Sequence, residues 1–184
     1  MRIISGTLRG KKLHAFKGTA IRPTSDRTRE AVFNILSSRI PGAHVLDLFA
    51  GTGAMGIEAL SRQAAAAVFV DKTPAAITLI KKNINACGLG FKTRIIQWDI
   101  ERSLACLGAA KPPFDLIFLD PPYGQNLAET ALSHLIQAKA LAAGAFLALE
   151  HGRTEKLSWS GNHFQLIKQR RYGKTLVSVL SYML

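Results

Sequence analysis

Between residues 44 and 150 the chain repeats one pattern, a short and almost unbroken apolar run followed by a stretch with helical spacing. "VLDLF" is followed by "GAMGIEALSRQ", "AAVFV" by "TPAAITLIKKNINAC", "TRIIQ" by a short helical stretch over 102–109, "FDLIF" by a helix over 126–139, and "GAFLALE" closes the series. Strands that are apolar throughout are buried on both faces, and helices between them supply the crossovers that parallel pairing requires. The pattern therefore predicts a parallel sheet with helices on both sides.

Local signals agree. In the second helix Thr73 is placed to cap, Pro74 fits the first turn, Ile77, Ile80, Ile84 and Cys87 share a face, and Gly88 ends it. The rhythm breaks after residue 150: "HFQLIKQRRYGKTLVSVLSYM" holds two strand-like runs around Tyr172-Gly173-Lys174 with no helix between, which predicts an antiparallel hairpin. At the front, "RIISGTLRGKKLHA" reads as a hairpin whose loop carries Arg9, Lys11 and Lys12. Thr24, Ser25 or Asp26 then caps a helix with the stripe Val32, Ile35, Leu36 and Ile40. The expected architecture is α/β: a doubly wound, Rossmann-like sheet of seven strands over residues 23–184, mostly parallel with an antiparallel C-terminal hairpin. A small basic β-hairpin extension precedes it, over residues 1–22.

Composition removes several function classes. With 184 residues and 48% hydrophobic content, one domain can bury a proper core. No apolar run approaches the roughly 18 residues of a membrane helix, and no apolar segment follows a basic start, so a cytoplasmic protein is expected. Cys87 and Cys106 have no zinc-ligand spacing, and His14, His44, His134, His151 and His163 are scattered, so no metal is expected. The net charge of +12 is uneven: residues 1–30 carry +6, residues 31–150 carry +1 and residues 151–184 carry +5. Two basic segments around a near-neutral middle form an electrostatic footprint for a polyanion, nucleic acid above all.

The middle segment holds the chemistry. Gly51, Gly53 and Gly56 in "DLFAGTGAMG" form a glycine-rich turn between a strand and a helix, where a ligand can approach the backbone. That motif alone serves many nucleotide ligands. Asp47, just below it, can bind the ammonium of an amino-acid ligand or cap the loop backbone. Asp71, twenty residues after Gly51, stands where an acid reaches ribose hydroxyls. Asp99 can accept from an adenine amine while Ile100 packs on the ring. With Asp120, four acids end four successive strands, and strand carboxyl ends line the ligand crevice of such a sheet.

The "DLFAGTG" loop, these acids and "DPPY" (Asp120, Pro121, Pro122, Tyr123) resemble class I S-adenosylmethionine-dependent methyltransferases that modify amino groups. The segments "RIISGTLRGKKL", "RPTSDRTREAVFNIL", "DLFAGTGAMGIEALSR", "FDLIFLDPPYG" and "RRYGKTLVSVLSY" resemble the RsmD family of bacterial 16S ribosomal RNA guanine-N2 methyltransferases along essentially the whole chain. This family more often has Glu at the position of Asp71 and frequently Phe at that of Tyr123.

The resemblance implies S-adenosylmethionine as cofactor, with Phe49 joining Asp47, Gly51, Gly53, Asp71, Asp99 and Ile100 in holding it. It implies methylation of N2 of the guanine conventionally numbered 966, on an assembled or partly assembled 30S particle, by a monomer. Asp120 and the Pro121 carbonyl would hold the protons of the amine, the prolines would keep those acceptors rigid, and Tyr123 would stack on the extruded base. Thr24 and Arg27 would lie near cofactor and base, while Arg9, Lys11, Lys12, Arg170, Arg171 and Lys174 would contact phosphates. The same tetrapeptide also suits N6 methylation of adenine in DNA or RNA. A noncatalytic RNA-binding assembly factor is the rival from another class. Glutamine-amide methylation fits poorly with the basic ends and with Asp at position 120, and nicotinamide-dependent oxidoreduction leaves "DPPY" unexplained.

Overall fold

The computed structural model describes residues 1–16, 26–108, 111–122, 126–155, 157–173 and 175–184. Seven strands, β1 (His44–Leu48), β2 (Ala66–Asp71), β3 (Thr93–Gln97), β4 (Phe114–Leu119), β5 (Leu141–Gly152), β6 (Phe164–Tyr172) and β7 (Thr175–Tyr182), form one sheet in the order β3-β2-β1-β4-β5-β7-β6. The first five pair in parallel, whereas β7 is antiparallel to both β5 and β6. The strand order reverses direction between β1 and β4, the switch point at which such sheets open a crevice.

Alternation along the strands divides the core in two. Val45, Phe69, Leu116, Phe118 and Val179 face one way, against Val32 and Phe33 of α1 (Asp26–Ile35), Ile57 of α2 (Ala54–Ser61) and Ile80 and Ile84 of α3 (Pro74–Cys87). Leu46, Leu48, Val70, Ile117 and Leu149 face the other way, against Ile100, Leu104 and the Ala128, Ala131, Leu132 and Leu135 stripe of α4 (Leu127–Gln137). A fifth, short helix, α5 (Trp159–Asn162), leads into β6. Thr73 caps α3 as its sequence predicts, accepting from Ala76 N, and Gly88 ends it in the left-handed conformation.

One expectation is corrected. The helix expected over 102–109 is only a single 3-10 turn, Ala105–Leu107, ended by Gly108 at φ 58. The N-terminal hairpin is present as a short one, with an antiparallel bridge from Arg2 to Lys12 and backbone bonds from Ile3 N to Lys11 O, Gly10 N to Ile3 O and Leu13 N to Met1 O. Others of its amides are taken elsewhere: Ile4 N and Ser5 N donate to the buried Glu58 carboxylate at 2.7 and 3.0 Å, and Leu8 N donates to Ser61 Oγ at 3.0 Å. Farther on, Asn83, fully buried on α3, accepts from His14 N at 2.8 Å and donates to the carbonyls of His14 and Thr52. Ile3 and Leu13 enter the first core cluster, so this segment packs on α2 and α3 along its length.

Helix α2 lies close to the sheet at Gly56, where an added Cβ would stand 2.3 Å from Cε1 of the fully buried Phe69 ring. Helix propensity alone would favour alanine over glycine by about 1 kcal/mol. The clash outweighs it, because forcing a group into a close-packed core costs about 1–3 kcal/mol. Gly56→Ala is therefore expected to lower stability by up to about 2 kcal/mol, read as a lower urea midpoint with an unchanged slope; a higher midpoint would show that α2 can lift off the sheet without cost.

Candidate functional site

A cavity of about 930 Å³ opens at the carboxyl ends of the strands, across the switch point. On the side of β1 and β2 it is lined by Asp47, Phe49, Gly51, Thr52, Asp71, Thr73 and Ile100; on the side of β4, β5 and β7 by Asp120, Pro121, Pro122, Glu150 and Thr175. Arg27, Lys72 and Arg171, all exposed, line it as well. Met1, Ala15 and Phe16 of the N-terminal segment complete the wall.

The glycine loop is held by two of the strand-end acids. Asp47 Oδ2 accepts from Gly56 N at 2.9 Å, tying the end of β1 to the first turn of α2. Asp71 accepts from Gly51 N through Oδ2 and from both Thr73 N and Thr73 Oγ1 through Oδ1, each at 2.9 Å. One carboxylate thus joins the loop to the start of α3. The loop backbone is unusual in turn: Gly51 and Gly53 have φ of 55° and 76°, and Phe49, which is not glycine, has φ of 56°. A left-handed phenylalanine at a cavity wall is a strained conformation of the kind that clusters at ligand sites.

Most of the residues singled out from sequence meet here: Asp47, Phe49, Gly51, Asp71, Ile100, Asp120, Pro121, Pro122, Arg27 and Arg171 all line the cavity. Gly53 lies beneath it as the N-cap of α2, with Phe69, Ile57 and Ile80 around its Cα. Asp99 is not among the lining residues; its carboxylate accepts from Glu101 N at 3.1 Å and pairs with Arg102 at 3.5 Å, while its neighbour Ile100 reaches the cavity. Arg9, Lys11, Lys12 and Arg170 are exposed and lie outside the lining. Thr24, Tyr123 and Lys174 lie outside the described residues. The described residues hold no cluster of metal-ligating side chains and no helix long and apolar enough to cross a membrane.

Comparison with known proteins agrees with this geometry. Residues 1–181 match the protein family described as Conserved hypothetical protein 95, which is the RsmD family. The chain belongs to that family. It is 34% identical to Ribosomal RNA small subunit methyltransferase D of Haemophilus influenzae, covering 100% of this chain and 92% of that one. To the protein of the same name in Escherichia coli strain K12 it is 37% identical over 150 residues, 82% of this chain and 74% of that one. The solved structure of yhhF from Escherichia coli superposes with a TM-score of 0.88 at 33% identity, covering 100% of this chain and 98% of that one. The fold of this RsmD family member is that of the α/β methyltransferases.

Several lining residues escaped the sequence reading. Glu150 lies within β5, two residues before its end, and reaches the cavity because it stands level with Asp120, one residue beyond the Leu119–Leu149 pair. Thr175 and Tyr172 flank the C-terminal turn that the reading treated only as a phosphate contact. Met1, Ala15 and Phe16 gave no local signal, since only the docking of the segment brings them to the cavity.

The acids are close enough to perturb one another. Burial pushes the Asp47 carboxyl up to about 8, against the Gly56 amide, which favours the charged form, and the charges of Asp120 and Asp71 raise it further. Such a carboxyl is protonated at neutral pH until a cation arrives beside it. A folded value above the unfolded one means that the folded state binds the extra proton. The stability this confers is complete below the unfolded pKa near 4 and is lost as pH rises through about 8. Asp47→Asn keeps an oxygen for Gly56 N but does not titrate. Relative to wild type, this variant is expected to gain stability on the order of a few kcal/mol between pH 5 and pH 9 in denaturant melts of the ligand-free protein, and parallel pH profiles would show that Asp47 is already ionised.

Proposed function

We propose that this chain transfers a methyl group from S-adenosylmethionine to the exocyclic N2 of a guanine in 16S ribosomal RNA, the guanine numbered 966, in an assembled or partly assembled 30S subunit in the cytoplasm. The observation that carries the reading is the meeting of Asp120-Pro121-Pro122 with the Asp47, Gly51 and Asp71 wall in one cavity. The names of the relatives support ribosomal RNA as substrate.

The residues present fit the methyl donor. The cavity has the volume of a site for a ligand of that size. Asp47, buried and short of positive charge, suits the ammonium of an amino-acid moiety. Asp71 retains acceptor capacity for ribose hydroxyls beyond its bonds to the loop, and the buried Ile100 offers an apolar face to an adenine ring. When bound, the donor supplies an electrophilic methyl on a sulfonium.

The chain's own work is on the nucleophile. A guanine N2 is a weak nucleophile because its lone pair is delocalised into the ring. Asp120 and the Pro121 carbonyl accept its two N–H protons, which orients the lone pair toward the methyl carbon and favours a pyramidal nitrogen. As the N–C bond forms, the S–C bond breaks with its electron pair going to sulfur, and N2 loses one proton to Asp120 or to water. Two consecutive prolines fix the acceptors before the base arrives. Tyr123 follows directly and is assigned the stacking role on the extruded base.

The test uses tritiated methyl donor with 30S particles from a strain lacking the enzyme, naked 16S RNA and duplex DNA. N2-methylguanosine is the expected product, and Asp120→Ala is expected to lower kcat by at least about 10²-fold while methyl-donor affinity stays within a few-fold. Label in adenine, or in DNA alone, would overturn the reading.

A further inference from the structure

Asp120 is not the only acid on the substrate side of the cavity. β4 and β5 pair in parallel with Leu119 opposite Leu149, so the next residues, Asp120 just after β4 and Glu150 within β5, stand side by side. Both line the main cavity, and both line a small recess of about 20 Å³ behind it, with Asp47, Val32 and Met55. On its other side Glu150 stands opposite Val177 of β7, two residues from the cavity-lining Thr175. Glu150 is therefore set between the amine-binding acid and the C-terminal hairpin, on the half of the crevice away from the glycine loop.

We infer that Glu150 selects guanine by accepting the N1–H of the target base. The inference rests on the proposed guanine-N2 reaction and supplies what "DPPY" alone lacks, since the acceptors assigned there to Asp120 and Pro121 would serve any exocyclic amine. Guanine presents two neighbouring donors on one edge, N1–H and the N2 amine. Adenine and cytosine present beside their amine a ring nitrogen with a lone pair. A carboxylate accepts and does not donate. Facing N1 of guanine it forms a charge-assisted hydrogen bond; facing N1 of adenine or N3 of cytosine it meets a lone pair and leaves two acceptors opposed. Adjacent strands are about 4.8 Å apart, a separation from which two carboxylates can reach neighbouring donors on one base edge. A site built around a substrate N–H rejects analogues lacking it by far more than a difference in size would allow.

The decisive probe is 2-aminopurine, which keeps the N2 amine but carries a lone pair at N1. Reconstituted 30S particles with guanine or 2-aminopurine at the target nucleotide would be compared by kcat/KM for wild type and Glu150→Gln. Wild type is expected to prefer guanine by at least about 10²-fold. Glutamine can present either its carbonyl to N1–H or its amide to a bare N1, so in Glu150→Gln the preference is expected to fall by about tenfold or more. Equilibrium binding of the 2-aminopurine particle, read by its fluorescence, should tighten in the same variant. An unchanged preference in Glu150→Gln would overturn the role of Glu150. So would a wild type that methylates both bases equally, a result that needs no variant to fold. Loss of N2-methylguanine from the wild-type reaction on ordinary 16S RNA would instead remove the underlying reading, and the two failures are separate measurements.

Discussion

The hydrogen bond from Gly56 N to Asp47 is the constraint around which the molecule is organised. It joins the end of the central strand β1 to the first turn of α2, and it operates only because α2 can approach the sheet at a residue with no Cβ, directly over the Phe69 ring. With that distance fixed, the five residues from Phe49 to Gly53 must turn sharply, and the positive φ values of Phe49, Gly51 and Gly53 follow. The same carboxyl is the most deeply buried acid of the cavity, so one group both builds the loop and sets the electrostatics of the site. A cation beside it would favour the ionised form that burial disfavours.

A second acid, Glu58, does for the N-terminal segment what Asp47 does for the loop. Almost wholly buried on α2, it accepts from Ile4 N, Ser5 N and Arg62 Nε, and it lies 4.0 Å from Arg29 Nε. Arg29 in turn donates to Asp26 and to the Arg2 carbonyl. The start of the chain, α1 and α2 thus converge on one carboxylate, and the cavity wall formed by Met1, Ala15 and Phe16 depends on that convergence. A buried charge with this many donors is compensated in place; removing one donor would leave it exposed to the full cost of burial.

What the sequence could reveal follows from the range of the interactions. The parallel sheet, the caps of α3 and the reversal at the C-terminal hairpin are written locally, in apolar periodicity, in Thr73, Pro74 and Gly88, and in the missing helix before β7. That Asp47, Asp71 and Asp120 meet at one cavity was legible because their positions at strand ends follow from that same periodicity. The docking of residues 1–16 was not legible, since Ile4 and Ser5 bond to a residue more than fifty positions away and a strand-like pattern says nothing of such a partner. Gly108 fell inside the helix expected over 102–109, and the apolar spacing before it does not distinguish one 3-10 turn from a short α-helix. Glu150 was a different case: it lies inside the fifth strand, level with Asp120, where the phrase "FLALE" reads first as core.

The division of charge along the chain now has a spatial meaning. The near-neutral middle supplies the acids at the strand ends, and the basic first and last segments supply Arg27 and Arg171 to the same cavity, with Arg9, Lys11, Lys12 and Arg170 exposed on those segments. Basic groups facing solvent gain affinity for phosphates by releasing counterions, a contribution that is blind to the base and that falls with salt. Acids inside the crevice can do little for affinity toward a polyanion, whose long-range field they oppose, but they accept N–H groups in a fixed arrangement where water is scarce. In the proposed function, attraction of the nucleic acid would be carried by the basic groups and choice of the atom to be modified by the acids, so a base would have to leave its phosphates to reach the crevice.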